Sequence, residues 1–287
     1  GGLLCDAMGL GKTVQALAGM LLSTDDSETF VVVCPKSVAT QWSTEISKHT
    51  SIHPRRVVLY TSDTRGTPWP DDPRVIITTY ETVFQDMRRR RARSSNTSPL
   101  MPHLDGPVLD AVYRKTDLAK ERKMYTDRDQ RPPQDLYAKK DGSETWLSVN
   151  DFKRRMPERK PWACVILDEA HRSRNLESIT SRALWLLCCH GKRTVCMTGT
   201  PFNNKVTDVG SLAILVGDAP YDDPEFWKKN PSNQSLIRWR SDYLVLRDKE
   251  SVTNPELPAL TFKEKQFRLS SDEDEVYGAC IEYLGKA

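Results

Sequence analysis

Short uninterrupted apolar runs recur along the chain, and segments with amphipathic spacing separate several of them. A run of this kind predicts a strand that is buried on both faces of a sheet. The predicted strands comprise residues 2–5, 30–34, 56–59, 74–78, 163–167 and 193–197.

Between these runs, apolar residues recur at the spacing of an α-helix. The predicted buried faces consist of Val14, Leu17, Ala18 and Leu21; of Ile179, Ala183, Leu186 and Leu187; and of Val209, Leu212, Ala213 and Val216. Gly191 is placed to end the second of these helices. Alternating strands and helices predict an α/β fold, in which a parallel β-sheet is flanked by helices and binds ligands at the carboxyl ends of its strands.

Two further helix starts are predicted near the carboxyl terminus. Asp223 followed by Pro224 fits a cap and a first helical position. The segment from Ser270 to Glu273 has the spacing of a capping box, in which a serine and a glutamate satisfy each other's backbone N–H groups.

Composition changes this picture little. The chain is 38% hydrophobic and 28% charged, and no apolar stretch approaches the roughly 18–20 residues that span a membrane. We therefore expect no membrane partner. The seven cysteines include no Cys-x-x-Cys pair, and Cys5, Cys34, Cys164 and Cys196 lie in predicted strands. Core packing is the role expected for them, rather than zinc binding or a disulfide framework.

A glycine-rich turn follows the first predicted strand. Residues 6–13 read Asp-Ala-Met-Gly-Leu-Gly-Lys-Thr and open a helical pattern. This arrangement is typical of a phosphate loop, in which backbone N–H groups and the helix end face phosphate oxygens. Lys12 would reach the β and γ phosphates, and the Thr13 hydroxyl would hold Mg²⁺. Asp6 stands where the strict pattern has glycine, and taken alone the motif also fits an ordinary glycine-rich loop.

An acidic pair follows a later strand. The apolar residues 163–167 lead directly into Asp168 and Glu169. In a nucleotide hydrolase, the first carboxylate holds Mg²⁺ and the second orients and deprotonates the attacking water. A surface Asp-Glu pair is common by itself, but the two motifs in this order predict the site of a nucleotide hydrolase.

Five ordered segments resemble the SWI/SNF-type ATPases of helicase superfamily two. Residues 1–15 resemble motif I, and residues 33–37, with Trp42 and Glu45 following, resemble motif Ia. Residues 76–81 resemble motif Ib, residues 168–171 motif II and residues 197–204 motif III. The resemblance covers most of residues 1–83 and 161–287. It implies the first, ATP-binding RecA-like lobe of a DNA-dependent ATPase that translocates on duplex DNA, including nucleosomal DNA, or remodels protein–DNA complexes.

The resemblance also implies roles for individual residues. The ATP-binding residues would be Gly9, Leu10, Gly11, Lys12, Thr13 and Val14. Thr13 and Asp168 would hold Mg²⁺, while Glu169 and Asp168 would be catalytic. The phosphate backbone of DNA would be contacted by Pro35, Lys36, Ser37, Thr78, Thr79 and Tyr80. Thr198, Gly199 and Thr200 would couple the state of the bound nucleotide to the strength of DNA binding.

The chain departs from the family pattern at three positions. Cys5 replaces an alanine, Ala7 replaces an acidic residue, and Asp248 replaces the second of two paired arginines, of which Arg247 is the first. None of these changes touches the phosphate-binding atoms. We expect the change at Asp248 to weaken contacts between lobes.

The lobe is predicted to comprise residues 1–86 and 161–242, with a basic insertion at 87–160 and, at 243–287, a linker and the start of an absent second lobe. Residues 88–160 contain nineteen Lys and Arg against eleven Asp and Glu, whereas the net charge of the whole chain is +3. A solvated loop, a DNA contact and a targeting signal all fit this charge. Trp146, Leu147, Val149 and Phe152 indicate a small folded piece within it.

The ends indicate a fragment. Gly1 is not a start methionine, and the adenine-recognition motif and the arginine finger of the second lobe have no counterpart. We expect this chain alone to hydrolyse ATP at a rate barely above background. We expect its parent protein to be nuclear if it is eukaryotic and otherwise intracellular. Two alternatives remain open: a lobe of an RNA helicase, because Asp-Glu-Ala-His also marks that group, and a non-catalytic ATP-binding scaffold.

Overall fold

A computed structural model describes residues 1–92, 99–101, 139–140, 143–144, 162–175, 178–200, 206–218, 220–221, 226–227, 233–248 and 270–284. Residues Gly1–Lys249 form one compact unit and Glu250–Ala287 a second. No helix in these ranges is long and apolar enough to cross a membrane.

The first unit is built on a parallel sheet, and the described residues contribute seven strands to it in the order β3-β4-β2-β7-β8-β1-β9. The strands are β1 (Gly2–Leu4), β2 (Thr29–Cys34), β3 (Val57–Tyr60), β4 (Val75–Thr79), β7 (Trp162–Asp168), β8 (Thr194–Met197) and β9 (Leu244–Val245). A separate antiparallel pair consists of β5 (Lys139–Lys140) and β6 (Ser143–Glu144).

The α/β fold class and all six predicted strands are confirmed, with ends that differ by only a residue or so. The seventh strand, β9, was not predicted. Its two residues pair with Leu3 and Leu4 of β1, and a run this short gives no apolar pattern. The sheet therefore extends beyond residue 242, where the predicted lobe ended.

Helices cover both faces of the sheet. They are α1 (Lys12–Ser23), α2 (Ala39–His49), α3 (Tyr80–Ala92), α4 (Ile179–Cys189), α5 (Val206–Val216) and α6 (Asn233–Tyr243), with α7 (Ser271–Leu284) in the second unit. One core contains Leu17, Trp42 and Ile46 of α1 and α2. The opposite core contains residues of α4 and α5 such as Leu187 and Leu212.

Alternate residues of the central strands supply the two cores, because neighbouring side chains of a strand point to opposite faces. Val32 and Ile166 lie in the core beneath α1 and α2. Val31 and Val165 lie in the other. This two-sided burial explains why the strands appear in the sequence as uninterrupted apolar runs.

The predicted buried face of α1 was partly wrong. The helix buries Ala16, Leu17 and Met20, whereas Val14 and Ala18 are exposed. Val14 lies in the first turn beside the glycine-rich loop, so the contact with the sheet begins only at the next turn.

The other patterns agree with the structure. Every described side chain of the two remaining faces is buried, and Gly191 lies just beyond α4. The side chain of Ile179 and residues 222–225 lie outside the described residues. The capping box is confirmed: Ser270 N donates to Glu273 Oε2 at 2.9 Å and Glu273 N to Ser270 Oγ at 3.4 Å. The four cysteines predicted to be in the core are buried, and none of the seven forms a disulfide.

The predicted insertion is described only in part. Helix α3 runs on to Ala92, so the backbone of residues 88–91 is helical. Leu100 and Met101 are buried in the core, and Trp162 Nε1 donates to the Leu100 carbonyl at 2.9 Å. The small folded piece predicted around Trp146 lies outside the described residues.

Gly210 offers a test of this packing. A Cβ added there would lie 2.7 Å from Trp227 Cγ, whereas one added at Gly19 of α1 would meet nothing within 4 Å. We expect Gly210→Ala to lower the free energy of unfolding by about 1–3 kcal/mol through overpacking. Gly19→Ala should raise it by about 0.5–1 kcal/mol through helix propensity. Urea unfolding measures both, and equal stabilisation by the two changes would contradict the packing of Trp227 on α5.

Candidate functional site

Three of the predicted motifs meet at one edge of the sheet. Strand β8 lies between β7 and β1, with Met197 in register with both Asp168 and Leu4. Because the strands are parallel, the segments after their carboxyl ends lie side by side. These segments are the glycine-rich loop after β1, the acidic pair after β7 and residues 198–200 after β8.

The glycine-rich loop has the backbone of an anion site. Gly9 has φ 88° and Gly11 has φ 73°, which L-residues with a side chain rarely adopt. Gly11 is the N-cap of α1 and supplies no side chain to the free N–H groups of the first turn. A Cβ on Gly11 would meet no protein atom within 4 Å. The space that this Cβ would occupy is open, and the helix dipole favours an anion at the helix end.

Lys12 is half-buried beside this opening. Its Nζ donates to the carbonyl oxygens of Asp6 at 2.8 Å and Ala7 at 3.3 Å. Both acceptors belong to the loop itself, so the ammonium group is held next to the first turn of α1. Thr13 follows it and is also half-buried.

Asp168 is held at two points, its carboxylate and its backbone carbonyl. Trp42 Nε1 donates to Asp168 Oδ2 at 2.8 Å, and Tyr80 Oη donates to the Asp168 carbonyl at 2.6 Å. Burial raises the pKa of Asp168, and the hydrogen bond from Trp42 opposes that rise. Trp42 and Tyr80 thereby connect the segments after β2 and β4 to the acidic pair.

Glu169 has an unusual backbone. Its φ of 54° and ψ of 47° place it in the left-handed region, and no other non-glycine residue in the described ranges has a positive φ. Such a conformation costs of order 1–3 kcal/mol and is frequent at functional sites. His171 Nδ1 lies 3.0 Å from Glu169 Oε2 and 3.1 Å from Thr198 Oγ1.

The segment after β8 is tied to both neighbours. Thr198 N donates to the Leu4 carbonyl at 3.2 Å, and Thr200 N donates to Thr198 Oγ1 at 3.2 Å. Arg174 donates to the Thr200 carbonyl from the segment after the acidic pair. Gly199 lies beside Met8 of the glycine-rich loop. All three predicted coupling residues therefore lie between the loop and the acidic pair, while residues 201–204 lie outside the described ranges.

The residues predicted to touch DNA divide into two groups. Lys36 and Ser37 are exposed in a short 3₁₀ turn, and the Lys36 ammonium lies 3.0 Å from Asp63. Pro35 is buried. The side chains of Thr78, Thr79 and Tyr80 are buried as well.

These three side chains lie inside the protein. Thr79 Oγ1 accepts from Thr82 N at 3.1 Å at the start of α3, and the Tyr80 hydroxyl is engaged with Asp168. The contact of this segment with DNA stays a prediction.

Sequence reasoning gave Asp6 and Gln15 no role and placed Arg247 in a contact between lobes. The structure brings these three residues together beside the glycine-rich loop. Arg247 Nη2 lies 2.5 Å from Asp6 Oδ2 and 2.6 Å from Gln15 Oε1. The hydrogen bonds from Arg247 hold the pKa of Asp6 below its usual range. The sequence held a signal in Asp6 itself, because a carboxylate in a buried strand end needs a cationic partner.

The model of the SNF2-related domain matches residues 1–283. The chain belongs to the SNF2-related family. The motif order and the seven-stranded parallel sheet agree with that membership.

Similar proteins extend well beyond this SNF2-related region. The DNA repair protein RAD5 of Candida albicans is 26% identical over an alignment of 313 residues, which covers 96% of this chain and 24% of that protein. The CHD3-type chromatin-remodeling factor CHR7 of Arabidopsis thaliana is 23% identical over 97% of this chain and 19% of its own length. The chain thus spans about a quarter or less of these two relatives.

A solved structure shares the fold. The Sulfolobus solfataricus SWI2/SNF2 ATPase core in complex with double-stranded DNA matches with a TM-score of 0.51 and 21% identity. The match covers 87% of this chain and 40% of that one.

The hydrogen bond from Trp42 to Asp168 can be tested with one substitution. Trp42→Phe keeps a buried ring but removes the N–H donor. If Asp168 is a magnesium ligand, loss of this hydrogen bond should raise the Mg²⁺ concentration needed for nucleotide binding about tenfold. Removal of a partner behind a metal ligand usually lowers metal affinity to this extent. Isothermal calorimetry of ATP binding over a Mg²⁺ series measures this effect.

Trp227→Phe is the matched control. Trp227 is buried to a similar extent, and its Nε1 donates to the Tyr221 carbonyl at 2.8 Å, away from the site. The control should lose stability but keep the Mg²⁺ dependence. An unchanged Mg²⁺ dependence in folded Trp42→Phe would show that the indole does not position Asp168.

Proposed function

We propose that this chain is the ATP-binding lobe of a SWI/SNF-like DNA-dependent ATPase. The observation that carries the proposal is the joint geometry at the sheet edge. An uncapped helix end behind Gly9 and Gly11 lies two strands from the Asp168–Glu169 pair. An anion site beside a partly buried carboxylate pair suits a nucleotide triphosphate.

The residues around the opening fit ATP and Mg²⁺. The backbone from Gly9 to Val14 would hold the phosphates, and Lys12 would leave the loop carbonyls to neutralise the γ phosphate. The Thr13 hydroxyl and the Asp168 carboxylate are hard oxygen donors, which Mg²⁺ prefers. When bound, the ion would neutralise charge that develops on the phosphates.

Glu169 would act on the attacking water. Its carboxylate would accept a proton from that water, and it lies next to Asp168, which would hold Mg²⁺. The contacts of His171 with both Glu169 and Thr198 support a further role. Through them, residues 198–200 would sense whether the γ phosphate is present.

Duplex DNA is the proposed nucleic-acid substrate. Lys36 and Ser37 are exposed at the same sheet edge as the nucleotide site, and contacts to phosphates without base readout suit a motor that moves along any sequence. The RAD5 and CHR7 relatives, named for DNA repair and chromatin remodelling, support this substrate over RNA. They also support a nuclear location for the whole protein.

The proposed organisation follows from this assignment. Residues 1–86 and 161–242 would form the lobe, extended by β9, and residues 87–160 a basic insertion. A second RecA-like lobe would complete the site in the longer protein, because transition-state charge in such sites needs an arginine from a neighbouring lobe.

Nucleotide binding tests the core of the proposal. Lys12→Ala removes the side chain that would neutralise the γ phosphate, so the ATP affinity should fall at least about tenfold, or 1.4 kcal/mol. Calorimetry measures it. Lys48→Ala, an exposed position of α2, serves as the control and should bind ATP normally. Unchanged affinity in folded Lys12→Ala would remove the phosphate-loop assignment.

Measurements of DNA binding test the proposal that duplex DNA is the substrate. Lys36→Ala should weaken duplex DNA binding about equally for all sequences and flatten the slope of log affinity against log salt by roughly 0.9, the loss of one phosphate contact. Fluorescence anisotropy over a salt series measures the slope.

Lys48→Ala again provides the comparison and should keep the slope.

In the protein with both lobes, ATP hydrolysis should rise with duplex DNA more than with duplex RNA. Stimulation by RNA alone would favour the RNA helicase alternative instead.

A further inference from the structure

The Asp6 carboxylate lies fully buried between β1 and the glycine-rich loop. Four donors surround it. Oδ1 accepts from Arg247 N at 3.0 Å and Arg247 Nε at 3.1 Å, and Oδ2 accepts from Arg247 Nη2 at 2.5 Å and Gln15 Nε2 at 3.0 Å. A buried carboxylate costs free energy unless such donors compensate it. Three of the four belong to Arg247, so the position of Asp6 depends mainly on that residue.

The main chain joins the same two segments. Cys5 N donates to the Val245 carbonyl at 2.7 Å, and Ala7 N donates to the Arg247 carbonyl at 3.0 Å. These bonds continue the parallel pairing of β9 with β1 up to the first residues of the loop. Residues 245–247 therefore form a side wall of the glycine-rich loop. We call these three residues the exit segment, because the chain leaves the sheet through them.

Gln15 closes the network on the other side. Its Nε2 donates to the Leu10 carbonyl at 2.7 Å as well as to Asp6, and its Oε1 accepts from Arg247 Nη2 at 2.6 Å. Leu10 lies between the two glycines of positive φ. The guanidinium group is thus connected to the start of the loop, to its tip and to helix α1.

Lys12 is connected to this network through the backbone. The two carbonyl groups that accept from Lys12 Nζ belong to Asp6 and Ala7. These are also the two residues that bond to Arg247. A change in the attachment of the exit segment therefore changes the groups that orient the lysine.

We propose that Arg247 is a positioning residue for the glycine-rich loop, and that binding of the nucleotide's phosphates is coupled through it to the attachment of the exit segment. This inference rests on the proposed ATP-binding function. Coupling between two sites is reciprocal. ATP binding therefore strengthens the bonds between the loop and the exit segment, and loss of Arg247 weakens ATP binding.

The first experiment measures affinity. Arg247→Met removes the charge and the fork of donors from a side chain that is 45% exposed, so little core volume is lost. ATP–Mg²⁺ affinity measured by calorimetry should fall about tenfold, within the usual range for coupled sites. Arg247→Lys keeps the charge without the paired donors and should recover part of the loss.

The matched control is Arg56→Met. Arg56 also forms an ion pair with a carboxylate, 2.7 Å from Asp26, and also donates to a backbone carbonyl, that of Asp72 at 3.1 Å. It precedes β3, at the opposite end of the strands from the loop. This variant should keep the wild-type affinity for ATP. An equal loss of affinity in both variants would mean a general loss of stability and overturn the proposal.

The second experiment measures the coupling itself, which a merely structural role would not produce. Hydrogen exchange followed by NMR reports on the amides of Cys5 and Ala7, which donate to the exit segment. In the wild type, ATP should slow their exchange; in Arg247→Met, the ATP-dependent slowing should be lost. Exchange that does not respond to ATP in the wild type would overturn the proposal.

A double variant covers the case in which Arg247→Met does not fold because the Asp6 charge is left buried. Asp6→Asn with Arg247→Met removes both charges and should fold but bind ATP weakly. Wild-type affinity in this variant would overturn the proposal. If Lys12→Ala loses ATP binding while the Arg247 variants keep it, only this inference fails. If Lys12→Ala also binds normally, the ATP-binding function fails with it.

Discussion

Parallel pairing of β7, β8 and β1 is the constraint on which the rest of the site depends. In a parallel sheet every strand ends at the same edge, so segments that lie far apart in the sequence become neighbours there. With β8 in the middle, the residues after it lie between the acidic pair and the glycine-rich loop. The contacts of Thr198 with His171 and with the Leu4 carbonyl are direct results of that strand order.

The same edge carries two buried or half-buried carboxylates, and the fold supplies donors for each. Trp42 bonds to Asp168 across 126 positions of sequence, and Arg247 bonds to Asp6 across 241. Trp42 belongs to the core beneath α1 and α2, and Arg247 follows β9 of the sheet. Stability and site geometry are therefore linked, because a carboxylate that loses its donor is left in a poorly hydrated place.

Backbone conformation adds a local requirement to these long-range bonds. The glycine-rich loop turns through positive φ at Gly9 and Gly11, where glycine adopts the conformation without steric cost. Glu169 adopts a positive φ without that advantage. The surrounding bonds of the Asp168 backbone and of His171 maintain this conformation, which turns the chain sharply from β7 into the 3₁₀ turn that follows.

The sequence by itself determined the elements whose signal is local. Apolar runs predicted six strands, helical spacing predicted the buried faces of α4 and α5, and the Ser270–Glu273 spacing predicted a helix start. The motif order was enough to indicate the family and the fold class. Each strand, helix face, cap and single motif is a pattern of residues within a few positions of one another, so the sequence alone reveals it.

Only the tertiary structure decided the features that depend on distant partners. Strand β9 is too short for a pattern and exists because β1 offers it an edge. Thr78, Thr79 and Tyr80 resemble part of a DNA-contacting motif. The two threonines end β4 inside the sheet, Tyr80 begins α3, and all three side chains are buried. The buried face of α1 depends on where the sheet begins beneath the helix. Asp6 in the sequence indicates that a cation is needed, but only the folded chain shows that Arg247 supplies it, because no local rule relates two residues at opposite ends of a lobe.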